Sequence, residues 1–199
     1  MSFRKEKKYS LTYSDQKILK STLIEKGMKE LYPSRKINSC YFDTDNLALF
    51  HDSEEGVLPR KKVRVRWYDE KNKSNKEIKI SSIEGRFKIV ENFLNLNSLK
   101  ENYDLNLLDN QYGLLKPSLI VSYKREYYSI SGLRVTFDNN IEYTDLRSMV
   151  KQKYRDYDCV MEIKTSIDIS DDSIEKIVKY PTTRFSKYSR GILIADRLM

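Results

Sequence analysis

Glycine and proline are scarce in this chain of 199 residues, six and four in all, so tight two-residue hairpins cannot be its main connectors and longer loops are expected. Cysteine is nearly absent. Cys40 and Cys159 each sit in an apparent strand without a CxxC partner, which argues against a disulfide scaffold or a thiolate metal site and leaves two free, buried thiols. No apolar run approaches the roughly 18 residues needed to span a bilayer, and the start MSFRKEKKYS lacks the apolar stretch of a secretory leader. A cytoplasmic protein with no transmembrane segment of its own is expected. Neither the P-loop pattern GxxxxGK[ST], nor a kinase-type glycine-rich loop, nor a GxSxG elbow occurs, which disfavours the familiar nucleotide-binding folds and a serine nucleophile. The single histidine, His51, has no carboxylate or nucleophile at an informative spacing and reads as a surface residue.

What is abundant is positive charge. Thirty-seven Lys and Arg against 29 Asp and Glu give a net charge of +8, which points to an anionic partner: nucleic acid, an anionic membrane or a phosphate-rich small molecule. Strand-like runs dominate. The pattern predicts a strand from Phe3 to Thr12, then a helix capped by Ser14, carrying Ile18, Leu19, Leu23, Ile24 and Met28, and ending between Gly27 and Pro33. Strands follow at Asn38 to Asp43, Lys61 to Tyr68, Lys76 to Ile80 and Gly85 to Val90, with polar loops such as HDSEEG and DEKNKSNK between them. The leucine-rich stretch from Phe93 to Tyr112 suggests short helical turns. SLIVSYKREYYSI and LRVTFDNNIEY form a hairpin, RSMVKQKYRDYD a basic connector, CVMEIKT a further strand, DDSIEKIVKY a short helix stopped by Pro181, and the last residues a partly helical segment. With no internal repeat, residues 1–199 read as one domain. The fold class is α+β, mainly β: a closed antiparallel barrel with a few flanking helices, since so many open edges would invite aggregation.

Side chains two apart on a strand share a face. Val63, Val65 and Trp67 therefore oppose Lys62, Arg64 and Arg66; Cys159, Met161 and Ile163 oppose Glu162 and Lys164; Leu133, Val135 and Phe137 oppose Arg134, Thr136 and Asp138. Glu6 pairs with Lys8, Glu77 with Lys79, and Arg86 with Lys88 in the same way. For one strand, a solvated face explains this. Across the set, however, the polar face is mostly arginine and lysine with an occasional glutamate, and strands about 4.8 Å apart would repel one another unless an anion or carboxylates compensated. Arginine forks and lysine point charges suit a linear string of phosphates. A divalent cation bound with phosphates needs only one or two protein carboxylates. Glu162 is the leading candidate, with Glu6 and Glu77 as supplementary ligands or ion-pair partners.

The segments EKKY at Glu6 to Tyr9, YFDT at Tyr41 to Thr44, RVRWY at Arg64 to Tyr68, EIK at Glu77 to Lys79, KPSLIVSYKREYY with LRVTFD, MEIK at Met161 to Lys164 and RFSKYSRG at Arg184 to Gly191 stand in a telling order. Over nearly the whole chain they resemble the polyphosphate polymerase domain of the vacuolar transporter chaperone (VTC) complex, a branch of the triphosphate tunnel metalloenzymes. The resemblance implies an eight-stranded antiparallel tunnel barrel using Mn2+ or Mg2+. It assigns Lys8, Arg64, Arg66, Lys79, Arg125, Arg134, Lys164 and Lys187 to the catalytic, phosphate-binding set and Glu162 to the metal. Arg60, Lys62, Arg86, Lys88 and Arg184 are expected to add substrate-binding charge. The implied reaction moves the terminal phosphate of ATP onto a growing polyphosphate chain.

The chain also departs from that family. Arg184 stands where the eukaryotic polymerases carry lysine, and an arginine that precedes their RxR strand has no counterpart near Ser53, Arg60 being the nearest substitute. The amino-terminal regulatory domain and membrane anchor of the eukaryotic complex are not represented, so the chain resembles a stand-alone bacterial-type member with room for a membrane-protein partner. Hydrolysis of tripolyphosphate or a nucleoside triphosphate in the same tunnel is the alternative reaction, and a non-catalytic polyphosphate-binding module the alternative class. Fifteen tyrosines among basic residues superficially fit an RNA binder. No RNP, KH or zinc-knuckle signature accompanies them, so no nucleic-acid partner is expected.

Overall fold

The computed structural model describes residues 4–69, 73–94, 96, 97, 99, 103 and 105–198. Their elements run β1 (Arg4–Leu11), α1 (Tyr13–Glu25), β2 (Lys29–Asp43), α2 (Ala48–Glu55), β3 (Arg60–Tyr68), β4 (Ser74–Ser82), β5 (Gly85–Phe93), β6 (Leu107–Asp109), β7 (Gly113–Ile130), β8 (Leu133–Asp145), β9 (Gln152–Arg155), β10 (Cys159–Ser166), α3 (Asp171–Ile177) and α4 (Lys187–Leu198). Among the described residues the fold is mainly β and antiparallel, with these four helices.

Two compact units divide these residues. The first comprises Met1–Lys36, Tyr123–Ile141 and Arg155–Phe185. In it β1 pairs antiparallel with β10 and β10 with β8. The apolar sides of these strands, Tyr9 and Leu11, Leu133, Val135 and Phe137, Cys159, Met161 and Ile163, pack into one core with Leu23 of α1 and Ile174 of α3. The second unit comprises Ile37–Ser122, Glu142–Tyr154 and Ser186–Met199. There β2 pairs with β3, β3 with β4 and β4 with β5, all antiparallel. Its core gathers Cys40, Phe42, Val63, Val65 and Trp67 with Leu49 of α2 and Leu115, Ile120 and Leu146. Both cysteines are free and buried.

Several local expectations need correction. Thr12 caps α1 instead of Ser14: its backbone is extended and its hydroxyl accepts from Asp15 N at 3.1 Å, which places Ser14 inside the first turn. Ile18 and Ile24 lie on the solvent side of that helix, while Leu23 is fully buried. β2 begins at Lys29, well before Asn38. Its first eight residues, Pro33 among them, are exposed and show no alternation, so the sequence offers no strand period there. The polar loop after Thr44 is largely α2, and the basic connector contains β9. Part of the stretch from Phe93 to Tyr112 lies outside the described residues; Leu96, Asn97 and Leu99 are helical, as the leucine-rich pattern suggests, whereas Leu107–Asp109 is a strand. Phe3 also lies outside the described residues. His51 is exposed at the surface of α2, as expected.

Gly191, inside α4, is dictated by packing. A Cβ there would meet Leu119 Cδ2 and Tyr143 Cδ1 at 2.5 Å, and both side chains are fully buried. Glycine to alanine in a helix interior ordinarily gains about 1 kcal/mol. Here overpacking of about 1–3 kcal/mol outweighs it, so Gly191→Ala is expected to lower the thermal unfolding midpoint.

Candidate functional site

In the first unit the strand register builds a mixed-charge face. Lys8 lies opposite Glu162 and Glu6 opposite Lys164 across β1 and β10. Glu162 in turn lies opposite Thr136, and Lys164 opposite Arg134, across β10 and β8. Lys164 Nζ is 2.8 Å from Glu162 Oε1 and 3.9 Å from Glu6 Oε2, and Lys8 Nζ is 3.1 Å from Glu6 Oε1. Lys8 also donates to the carbonyl of Phe185 at 3.1 Å. From β7, Arg125 makes a bidentate pair with Asp138, 2.5 Å from Nε to Oδ1 and 2.7 Å from Nη2 to Oδ2. Burial penalises the Glu162 carboxylate, but Lys164, Arg125 and Lys8 outweigh it and hold the group ionised well below the usual carboxylate range. Cations and carboxylates nearly balance here.

In the second unit they do not. The register of β3, β4 and β5 sets Arg60 opposite Ser81 and Ser81 opposite Arg86; Lys62 opposite Lys79 and Lys79 opposite Lys88; Arg64 opposite Glu77; and Arg66 opposite Asn75. One face of three strands therefore carries Arg60, Lys62, Arg64, Arg66, Lys79, Arg86 and Lys88 with the single carboxylate Glu77. Three lysines stand in a row across neighbouring strands, an arrangement that repels itself. Glu77 is buried and accepts from Arg64 Nε at 2.7 Å and Lys88 Nζ at 2.6 Å, with Arg66 Nη1 at 3.9 Å. Burial works against its ionisation, yet Arg64, Arg66 and Lys88 bring it down to about 2. Arg66 also donates to Ser39 Oγ at 3.1 Å and Lys62 to Ser186 Oγ at 2.9 Å. Arg60 donates from Nη1 to the carbonyls of Gly56 and Val57. Arg86 is exposed.

Of the residues singled out in the sequence, Glu6, Lys8, Arg125, Arg134, Glu162 and Lys164 thus share a face in one unit, and eight others share a face in the other. Arg184 is exposed in the first unit's last segment, where Thr183 N donates to Lys8 O at 2.8 Å, and Lys187 opens α4 in the second. Sequence reasoning missed the support around Arg64. Its Nη1 donates to Tyr41 OH at 2.9 Å; the Tyr41 ring stacks on Tyr188 with centroids 4.8 Å apart and planes at 15°. Tyr188 OH donates to Asp43 Oδ2 at 2.6 Å, and Asp43 accepts the backbone N–H groups of Leu49 and Phe50 in α2. Alternation puts Tyr41 on the polar side of β2 with Ser39, which is the one signal that could have found it.

A divalent cation needs hard oxygen donors. Among the described residues no three His, Cys, Asp or Glu side chains form a metal-binding group. Glu162 and Glu6, with Lys164 between them, are the carboxylates of this face that offer oxygen to a cation taking its remaining ligands from water and phosphate, whereas Glu77 is engaged by three cations.

The VTC domain model matches residues 3–195. The chain belongs to the VTC domain family. No curated protein matches it significantly. Among solved structures, the VTC domain resembles a candidate adenylate cyclase of Bacillus halodurans (12% identity, 92% of this chain and 95% of that one, TM-score 0.58). It likewise resembles a conserved hypothetical protein of Pyrococcus furiosus (12%, 94% and 99%, TM-score 0.57). A third likeness is to a candidate adenylyl cyclase of Hippeastrum described as having a dominant triphosphatase activity (14%, 95% and 95%, TM-score 0.54). At these identities the likeness shows the fold alone.

The VTC domain's Tyr41 phenol is pushed up by burial, but Arg64, Arg66 and Lys79 outweigh that and bring it down to about 7. An ultraviolet titration should therefore show one tyrosine ionising near neutrality, and Tyr41→Phe should abolish that step. Because the folded value lies below the ordinary tyrosine value near 10, this group's contribution to stability is complete above pH ~10 and lost as pH falls through ~7.

Proposed function

We propose that this VTC domain is a metal-dependent phosphotransferase that moves the terminal phosphate of ATP onto a growing polyphosphate chain and releases ADP. The observation that carries this is the excess of cations on the β3–β5 face: Arg60, Lys62, Arg64, Arg66, Lys79, Arg86 and Lys88 against Glu77 alone. A string of phosphates would neutralise that row, and arginine forks would grip its oxygens in pairs. On this reading residues 1–199 act as one domain whose strands close into an eight-stranded tunnel with the polar faces inward.

Phosphoryl transfer asks little covalent help of a protein; positioning and charge stabilisation supply most of it. Lys8, Arg125, Arg134, Lys164 and Lys187, with Arg184, are proposed to complete the phosphate-binding set. Glu162, supplemented by Glu6, would hold Mn2+ or Mg2+, which when bound neutralises charge on the transferring phosphate. Lys164, Arg125 and Lys8 keep the Glu162 carboxylate ionised and ready for a cation. Arg125, clamped on Asp138, is fixed in place beside Glu162. Glu77 is proposed to serve as counter-ion and to aim Arg64 instead of binding metal.

Hydrolysis, with water as acceptor, is the second reading. It is favoured by the fold shared with the Hippeastrum protein described as a triphosphatase. Incubation with ATP and Mn2+ separates the two. Long polyphosphate on a gel, reduced about 100-fold or more in Glu162→Ala, is expected for the polymerase. Orthophosphate as the sole product supports hydrolysis and sinks the polymerase.

A further inference from the structure

Four buried side-chain atoms lack a hydrogen-bond partner among the described residues: Tyr9 OH, Thr136 Oγ1, Thr165 Oγ1 and Ser189 Oγ. Tyr9 and Thr165 lie on the apolar sides of β1 and β10, and Ser189 lies in α4. Thr136 alone belongs to the charged face. It is directly opposite Glu162, with Arg134 and Asp138 two residues away on either side of it along β8. It is 4% exposed, so bulk water does not satisfy it. A carboxylate stands across from it, yet no bond forms: Glu162 instead takes Lys164 at 2.8 Å, and Asp138 takes Arg125. Leaving a buried hydroxyl unpaired is costly, which makes an orphan among ion pairs a place where a third group is expected.

We propose that the Thr136 hydroxyl is a phosphate-binding group that donates a hydrogen bond to an oxygen of the polyphosphate held beside Glu162. The inference rests on the polyphosphate reading of this face. A neutral hydroxyl donates best to a charged acceptor, and phosphate oxygens are the acceptors that Arg134 and Lys164 would draw to this row. The valine side chain has the same shape without the hydroxyl, whereas serine keeps the hydroxyl, so the pair separates donation from packing.

The test is calorimetric titration of the whole chain with tripolyphosphate in Mg2+, alongside thermal unfolding without ligand. Thr136→Val is expected to weaken binding about 10- to 100-fold, the worth of one hydrogen bond to a charged acceptor. Its ligand-free unfolding midpoint should equal or exceed the parent's, because an unpaired polar atom has been removed. Thr136→Ser should bind within about threefold of the parent. If Thr136→Val binds as tightly as the parent while Arg134→Ala binds more weakly, a trapped water suffices for the hydroxyl and the inference fails, though the polyphosphate reading stands. If Thr136→Val loses affinity only together with a lowered unfolding midpoint, the role is packing and the inference fails. If the parent does not bind tripolyphosphate, the polyphosphate reading falls and takes the inference with it.

Discussion

Repulsion between cations on neighbouring strands is the constraint around which the second unit is arranged. Strands lie about 4.8 Å apart, and Lys62, Lys79 and Lys88 stand opposite one another across three of them. Glu77 relieves part of this by sharing its two oxygens among Arg64, Arg66 and Lys88. Neutral acceptors relieve a little more, with Ser39 taking Arg66, Ser186 taking Lys62 and Tyr41 taking Arg64. On this face of the three strands one carboxylate stands against seven cations. A buried ion pair such as Arg64 with Glu77 adds little net stability, because desolvation offsets the attraction. Its evident consequence is orientation: both ends of the Arg64 guanidinium are fixed, one by Glu77 and one by a tyrosine that is itself stacked on Tyr188.

The first unit solves a different electrostatic problem. Lys8, Lys164, Arg134 and Arg125 are set against Glu6, Glu162 and Asp138, so charges nearly cancel and the Glu162 carboxylate remains ionised despite burial. A phosphate-rich substrate with a divalent cation needs both kinds of surface: excess positive charge to draw the anion, and a shielded carboxylate to hold the metal. The second unit carries the excess of positive charge, and the first carries the buried, ionised Glu162.

Much of this was legible from alternation alone. Splitting β3, β8 and β10 into faces placed Arg64, Arg66, Arg134, Glu162 and Lys164 on polar sides and Val65, Val135 and Met161 in the cores, because a strand with one buried face leaves no freedom in that assignment. What alternation cannot supply is register. That Glu77 faces Arg64 and not Lys62, or that Thr136 faces Glu162, follows from pairing between strands distant in sequence. Helix α2 was hidden for a related reason. Its first turn is held by Asp43, six residues before Leu49, and by Thr44 accepting from Ala48 N, while Leu47 stands in the left-handed region, so no local capping pattern marks its start. The exposed half of β2, from Lys29 to Lys36, has no buried face to impose a period.

These polar strand faces are proposed to bind a phosphate chain with a metal at Glu162. A crystal soaked with tripolyphosphate and Mn2+, measured at an energy where manganese scatters anomalously, tests it most directly. An anomalous peak at the Glu162 carboxylate, with phosphate density against Arg134 and Lys164 and against the Lys62, Lys79 and Lys88 row, is the predicted result. Manganese elsewhere, or phosphate density confined to surfaces away from these two faces, would contradict it.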